Sequence, residues 1–138
     1  MSPRGAAGAA ALVAGLAFLY SPAPARAVHA VGSVETIAAD DLEALRRAGA
    51  PVVAIDLRPA EAYRRGHLPG ARSIPLRELS TRIAEVPAAG RVVLYADTPE
   101  EGSAAFAALR LRGHRNMTVL EDGFPGWSRR GLPVEGGP

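Results

Sequence analysis

Short apolar runs that recur between helical stretches constrain this fold most. Val52-Val53-Ala54-Ile55, Val92-Val93-Leu94-Tyr95 and Met117 to Leu120 are each four residues long. Runs of that kind suit strands buried on both faces. Helical patterns separate them. Asp40-Asp41-Leu42-Glu43 gives a D-x-x-E start, Leu42 and Leu45 follow at helical spacing, and Gly49 is the stop. Pro59 to Arg65 reads as a short helix with proline at its first position. Leu76, Leu79 and Ile83 predict a third helix, and a fourth runs to Arg112 before Gly113. Ser73-Ile74 is a brief strand, and Gly123 opens a turn before Phe124 and Trp127. Strands alternating with helices imply an α/β fold. Its central parallel sheet of about five strands has helices on both faces. Ligands of such sheets sit beyond the carboxyl ends of the strands. Asp56-Leu57-Arg58, Ala96 to Glu101 and Glu121-Asp122-Gly123 fall at that edge.

Residues 1–27 have the pattern of a secretory signal peptide. Arg4 supplies the positive start, Ala6 to Tyr20 is uncharged and mostly apolar, and Ser21-Pro22-Ala23-Pro24 breaks the helix. Ala25-Arg26-Ala27 supplies a small-x-small cleavage site, with Val28-His29-Ala30 as a second candidate. An uncleaved anchor is the alternative. Cleavage after Ala27 removes Arg4 and Arg26, and with them the formal charge of +2. The mature domain, 28–138, is then neutral with no basic tract, so no nucleic-acid partner is expected. The expected location is periplasmic or secreted, with no membrane association after cleavage.

The chain has no cysteine and no lysine. Disulfides, cysteine metal sites, thiolate catalysis and lysine Schiff bases are therefore excluded. Hydrophobic residues at 48% and charged residues at 22% fit a globular chain held together by its core. No cofactor and no metal site are expected.

Several motifs together are similar to the rhodanese-like domain family. Asp56-Leu57-Arg58, with Pro59, Glu61 and Tyr63, resembles its D-x-R segment and first helix. Gly66-His67-Leu68-Pro69-Gly70-Ala71 matches the family's G-H-[IL]-P-G-A signature, and Ser73-Ile74-Pro75 continues it. Val92 to Tyr95 resembles the strand leading into the active-site loop. Leu109 to His114, with Asn116, resembles the helix and turn that follow. Val119 to Trp127 and Gly131-Leu132-Pro133-Val134 resemble the closing segment. The resemblance spans about Ser33 to Glu135. It implies a sulfurtransferase fold in which a cysteine after that strand carries a persulfide, cradled by a six-residue loop bearing an arginine.

The departure lies in the loop. Ala96 occupies the cysteine position, and Asp97-Thr98-Pro99-Glu100-Glu101-Gly102 contains three carboxylates and no arginine. A methyl group can neither attack sulfur nor hold it. Thr98-x-x-Glu101 forms a capping box with Pro99 at the first helical position, which predicts that the loop has become a helix start near Pro99. A wide loop reaching Gly102 would instead preserve the cradle. The sharper alternative is that Asp97, Glu100 and Glu101 hold a cation or a basic partner.

Asp56 and Arg58 are expected to fix neighbouring loops by charge-assisted hydrogen bonds. His67 is expected to bond backbone in its turn, Trp127 and Phe124 to pack under the last loop, and Arg129-Arg130 to be a solvated helix end. The pocket candidates are thus Asp56, Arg58, His67, Ala96, Asp97, Thr98, Glu100, Glu101 and Gly102. The expectation is an exported, monomeric domain that has lost sulfurtransferase chemistry and binds an unidentified protein or small ligand. The competing expectation is an enzyme, sulfurtransferase or phosphatase-like, using a partner-supplied nucleophile or Asp97.

Overall fold

The computed structural model describes residues 28–31 and 34–136. The signal-peptide segment lies outside the described residues. The elements run β1 (Val28–Val31), β2 (Val34–Ile37), α1 (Ala39–Arg47), β3 (Val52–Asp56), α2 (Ala60–Arg65), β4 (Arg72–Ser73), β5 (Arg91–Tyr95), α3 (Pro99–Leu111), β6 (Met117–Leu120) and α4 (Gly123–Arg129). They build one six-stranded sheet in the order β1-β2-β6-β5-β3-β4. β1 is antiparallel to β2 at one edge. The pairs β2–β6, β6–β5, β5–β3 and β3–β4 are all parallel. The expected parallel α/β sheet is therefore present, with β1 added at the edge.

The apolar runs form strands because both faces of the sheet are covered. Ile55, Val92, Leu94, Met117 and Val119 point into one core with Phe106 and Leu109 of α3. Ile37, Ala54, Val93, Tyr95 and Leu120 point into the other with Leu42 and Leu45 of α1 and Trp127 of α4. Alternate residues of each strand thus serve opposite layers. Trp127 is fully buried and its indole N–H donates to the Pro133 carbonyl at 2.8 Å.

Three local expectations are corrected. Leu76, Leu79 and Ile83 do not make an α-helix. Two 3-10 turns, Leu76–Glu78 and Ile83–Glu85, replace it. Between the two turns the Thr81 hydroxyl donates to the Glu78 carbonyl at 2.9 Å, a local side-chain bond that competes with helix propagation, and the apolar residues still dock on the first core. The D-x-x-E start of α1 is not a cap either. Ala38 is the N-cap residue and no side chain bonds there. Asp40 instead pairs with Arg130 at 2.6 Å. Glu43 is buried between Arg46 and Arg47, at 2.7 and 2.9 Å. The hydrogen bond from Arg46, partly opposed by burial, holds its carboxyl below the usual glutamate range. Gly123 opens the helix α4 rather than a plain turn.

The fold aims two segments at each other. β3 leads through α2 outward to β4, whereas β5 sits on the other side of β3. The carboxyl ends of β3 and β5 therefore flank the point where the strand order reverses, where α/β sheets place ligands. α3 lies tight on the sheet beyond this point. A Cβ built on Gly102 would come within 2.6 Å of Val119 Cγ1. The β-branched valine is stiff and buried, so it cannot yield cheaply. Gly102→Ala should therefore lower stability by about 1–2 kcal/mol in urea denaturation, overpacking outweighing the gain in helix propensity. A stabilised variant would mean that α3 can slide.

Candidate functional site

A buried polar knot ties together the carboxyl ends of β3 and β5. Asp56 is 0% and Arg58 4% exposed. Arg58 donates from Nε to Asp56 Oδ1 at 3.0 Å and from Nη2 to Oδ2 at 2.7 Å, and its backbone N–H donates to Oδ1 at 2.9 Å. Nη2 also donates to the Gly66 carbonyl at 2.6 Å. The Tyr95 hydroxyl donates to Asp56 Oδ2 at 2.7 Å and accepts the Leu68 N–H at 3.2 Å. Such fork geometry is what a two-residue Asp-x-Arg spacing at a strand end allows. Burial and the adjacent Asp56 charge push the Tyr95 phenol far above its ordinary range, so it stays a neutral donor. Burial pulls Arg58 down, but the Asp56 hydrogen bond and charge prevail and leave it raised. Its guanidinium also lies over the Phe124 ring, 3.8 Å from the centroid.

His67 is 5% exposed and stacks on Tyr63 with centroids 3.8 Å apart. Its Nδ1 bonds the Tyr63 carbonyl at 2.8 Å, as expected for a turn histidine. Its backbone exchanges hydrogen bonds with Glu135 at 2.8 and 2.9 Å, so the C-terminal strap is fastened to this turn.

Ala96 follows β5 and is 1% exposed, its methyl group part of the first core. Its carbonyl accepts the Phe124 N–H at 2.9 Å. Gly123, at φ 57°, passes so close to this carbonyl that a Cβ there would collide with it. The backbone after Ala96 is not a cradle. Thr98 is the N-cap of α3, its Oγ1 accepting the Glu101 N–H at 3.3 Å, with Pro99 at the first position. The reciprocal half of the capping box is altered, because the Thr98 hydroxyl donates to Glu101 Oε1 at 2.9 Å.

The acidic residues of this loop do not converge. Asp97 lines a cleft of about 540 Å³ with Arg58, Arg65, Phe124 and Ser128. Glu101 lines a different cleft, of about 320 Å³, with Leu57, Pro59 and Arg77. Glu100 and Gly102 line neither, and Gly102 is buried against Val119. Among the described residues, no three His, Asp or Glu side chains gather as a metal-binding group. Arg58 and Asp97 thus line one cleft, while Asp56 is fully buried as the partner of Arg58 and His67 is buried in the turn after Gly66. Tyr95, Phe124 and Glu135 were missed. An apolar strand ending in tyrosine beside an Asp-x-Arg strand end was the available signal for Tyr95.

A family model for the rhodanese-like domain matches residues 38–130. The chain belongs to the rhodanese-like domain family. An HTH-type transcriptional regulator of Mycobacterium tuberculosis is 38% identical over 93 residues, covering 67% of this chain and 41% of the regulator. A sulfurtransferase of Allochromatium vinosum is 29% identical over 83 residues, covering 60% of this chain and 78% of that protein. A rhodanese-like domain from Anabaena, solved by solution NMR, superposes with a TM-score of 0.68 at 26% identity, covering 73% of this chain and 78% of that one. The chain spans less than half of the regulator. Sulfurtransferases are thus among the relatives of this cysteine-free rhodanese-like domain.

The knot has a measurable weight. Asp56→Ala strands a buried guanidinium and should cost about 3–5 kcal/mol in denaturant unfolding. Tyr95→Phe leaves the Leu68 N–H and one Asp56 oxygen short of a partner, and should cost about 1–3 kcal/mol. Losses no larger than those of surface substitutions would show that water replaces these bonds freely.

Proposed function

We propose that this is an exported rhodanese-like domain that has lost sulfur transfer and works by binding, at the cleft beside Asp97. The observation that carries the reading is Ala96. It holds the position of the family's cysteine, is 1% exposed, and packs into an apolar cluster under a loop converted to a helix cap. The cleft of about 540 Å³ offers a binding surface built from the fixed edge of Arg58, the ring of Phe124 and the exposed Arg65, Asp97 and Ser128. The similarity to a transcriptional regulator as well as to a sulfurtransferase supports a domain that serves as a module beside other functions.

Purified protein should show no thiosulfate:cyanide sulfur transfer above buffer, and Ala96→Cys should not restore it. A thiol at 96 would be buried, which raises its pKa and makes it inert. Its nearest loop neighbour, Asp97, adds negative charge that disfavours a thiolate. Strong turnover by Ala96→Cys would show that the nucleophile alone had been lost. Turnover by the unaltered protein would overturn the reading. One observation favours an enzyme with a carboxylate nucleophile: Asp97 is exposed in a cleft that also holds two arginines. Hydrolysis of an aryl phosphate abolished by Asp97→Asn is the result that would establish it.

The export reading also has a sharp test. Cleavage after Ala27 leaves β1 whole, whereas cleavage after Ala30 removes most of it and exposes the edge of β2. Mass spectrometry of the processed protein should find Val28 at the N-terminus. An intact Met1 terminus in a membrane fraction would make the segment an anchor instead.

A further inference from the structure

The amino-terminal edge of the sheet carries a separate cleft of about 390 Å³, lined by Glu35, Arg91, Arg115, Asn116 and Thr118 among others. Strand register builds it. Thr36 pairs with Val119 and Val93 with Thr118, which sets Glu35, Thr118 and Arg91 on one face of three adjacent strands. The face is the one that α1 and α4 cover further along the strands.

Unused hydrogen-bonding capacity collects at this place. Among the described residues, three buried side-chain atoms have no partner: His114 Nδ1, Asn116 Oδ1 and Thr118 Oγ1. Of these residues Asn116 and Thr118 line the cleft. Thr118 is 8% exposed, and Asn116 has committed its amide nitrogen to the Pro87 carbonyl at 3.0 Å. Buried polar groups are otherwise paired in this fold, as at Asp56, Arg58, Glu43 and His67. A buried group left unpaired is costly, so two of them on the lining of one cleft call for an occupant. Arg91 and Arg115 add two guanidinium groups that form no ion pair among the described residues, Glu35 included.

We propose that this cleft binds a small oxyanion that also carries hydroxyl groups, in the class of phosphorylated polyols. The two guanidinium groups suit the oxyanion, since arginine recognises phosphate by paired hydrogen bonds. A ligand hydroxyl can donate to the exposed Glu35 carboxylate and, once the Asn116 amide turns its buried Oδ1 toward the cleft, to that oxygen. Thr118 donates to a ligand oxygen after rotation between its staggered χ1 positions. A bare anion would leave Asn116 Oδ1 and Glu35 unanswered, because both are acceptors only. A neutral polyol would leave both arginines unanswered. The site lies at the opposite end of the strands from Ala96 and is independent of the function proposed there.

The test is an amide-resolved NMR titration of the purified, isotopically labelled protein with glycerol 3-phosphate, beside glycerol and inorganic phosphate. Saturable shifts confined to residues 35, 91 and 114–118 are expected with glycerol 3-phosphate, weaker ones with inorganic phosphate, and none with glycerol. Arg115→Gln, at an exposed position, should weaken binding about tenfold, the loss of one charge-assisted hydrogen bond. Thr118→Val should weaken it several-fold and yet raise the melting temperature, because the substitution deletes an unpaired buried hydroxyl while keeping the shape. The proposal is overturned if glycerol 3-phosphate gives no saturable shifts at these residues. Inorganic phosphate binding equally well, or a Thr118→Val variant with unchanged affinity, would overturn it too.

Discussion

The buried ion pair of Asp56 and Arg58 is the interaction on which the site end of this domain depends. Two charges are withdrawn from water at the carboxyl end of β3, and each must be compensated within the protein. Asp56 receives Arg58, its backbone N–H and the Tyr95 hydroxyl. Arg58 in turn reaches the Gly66 carbonyl and the Phe124 ring. Five separate pieces of chain are thereby held: β3, β5, the end of α2, the loop that follows it and the start of α4. A buried pair of this kind adds little net stability compared with well-packed apolar residues, because desolvation offsets the attraction. Its effect is to admit one arrangement. An alternative packing that separates the partners leaves a buried charge unanswered.

That rigidity sets where the loop after β5 begins. The Leu57 N–H donates to the Tyr95 carbonyl at 2.9 Å, and the Ala96 carbonyl is taken by Phe124. The backbone on either side of Ala96 is thus pinned before the loop begins. From there, Thr98 and Pro99 start α3 at once. The first N–H groups of a helix need acceptors and its dipole favours negative charge. Thr98 answers one such N–H, and Glu100 and Glu101 supply charge in the first turn. A helix terminus that could receive an external anion is therefore answered by the protein's own side chains. The absent cysteine, the acidic loop and the early helix form one consistent state.

Legibility in the sequence followed burial. Val52 to Ile55, Val92 to Tyr95 and Met117 to Leu120 were readable as strands because both faces of each are covered, which leaves an uninterrupted apolar signature. The Thr98 cap was readable because its chemistry is local. The helix expected from Leu76, Leu79 and Ile83 was not there, since spacing alone does not report that two short turns can present the same apolar residues to a core. Asp40 and Glu43 matched a capping pattern, but partners elsewhere claimed them. Arg130 is 90 positions from Asp40 in sequence, and nothing local announces it. Tyr95 illustrates the same limit at the site. Its ring belongs to a core strand, and its hydroxyl gains meaning only once β3 lies beside β5.

The two ends of the sheet differ in how completely they are satisfied. At the carboxyl end, where α/β sheets place their ligands, every buried polar side chain of the knot has a partner, so in the cleft beside it Arg58 is already engaged whereas Arg65, Asp97 and Ser128 are exposed. Arg58 can offer a ligand only the edge that Asp56 and Gly66 leave free. At the amino end, Asn116 and Thr118 retain unpaired atoms, and Arg91 and Arg115 form no ion pair among the described residues. A polar group that is unpaired in the free protein contributes more to binding than one that must first give up a partner, because no hydrogen bond is broken when its side chain turns to a ligand. By that criterion, binding at the carboxyl end falls to the exposed Arg65, Asp97 and Ser128 rather than to Arg58. At the amino end it falls to Arg91, Arg115 and the unpaired side chains beside them.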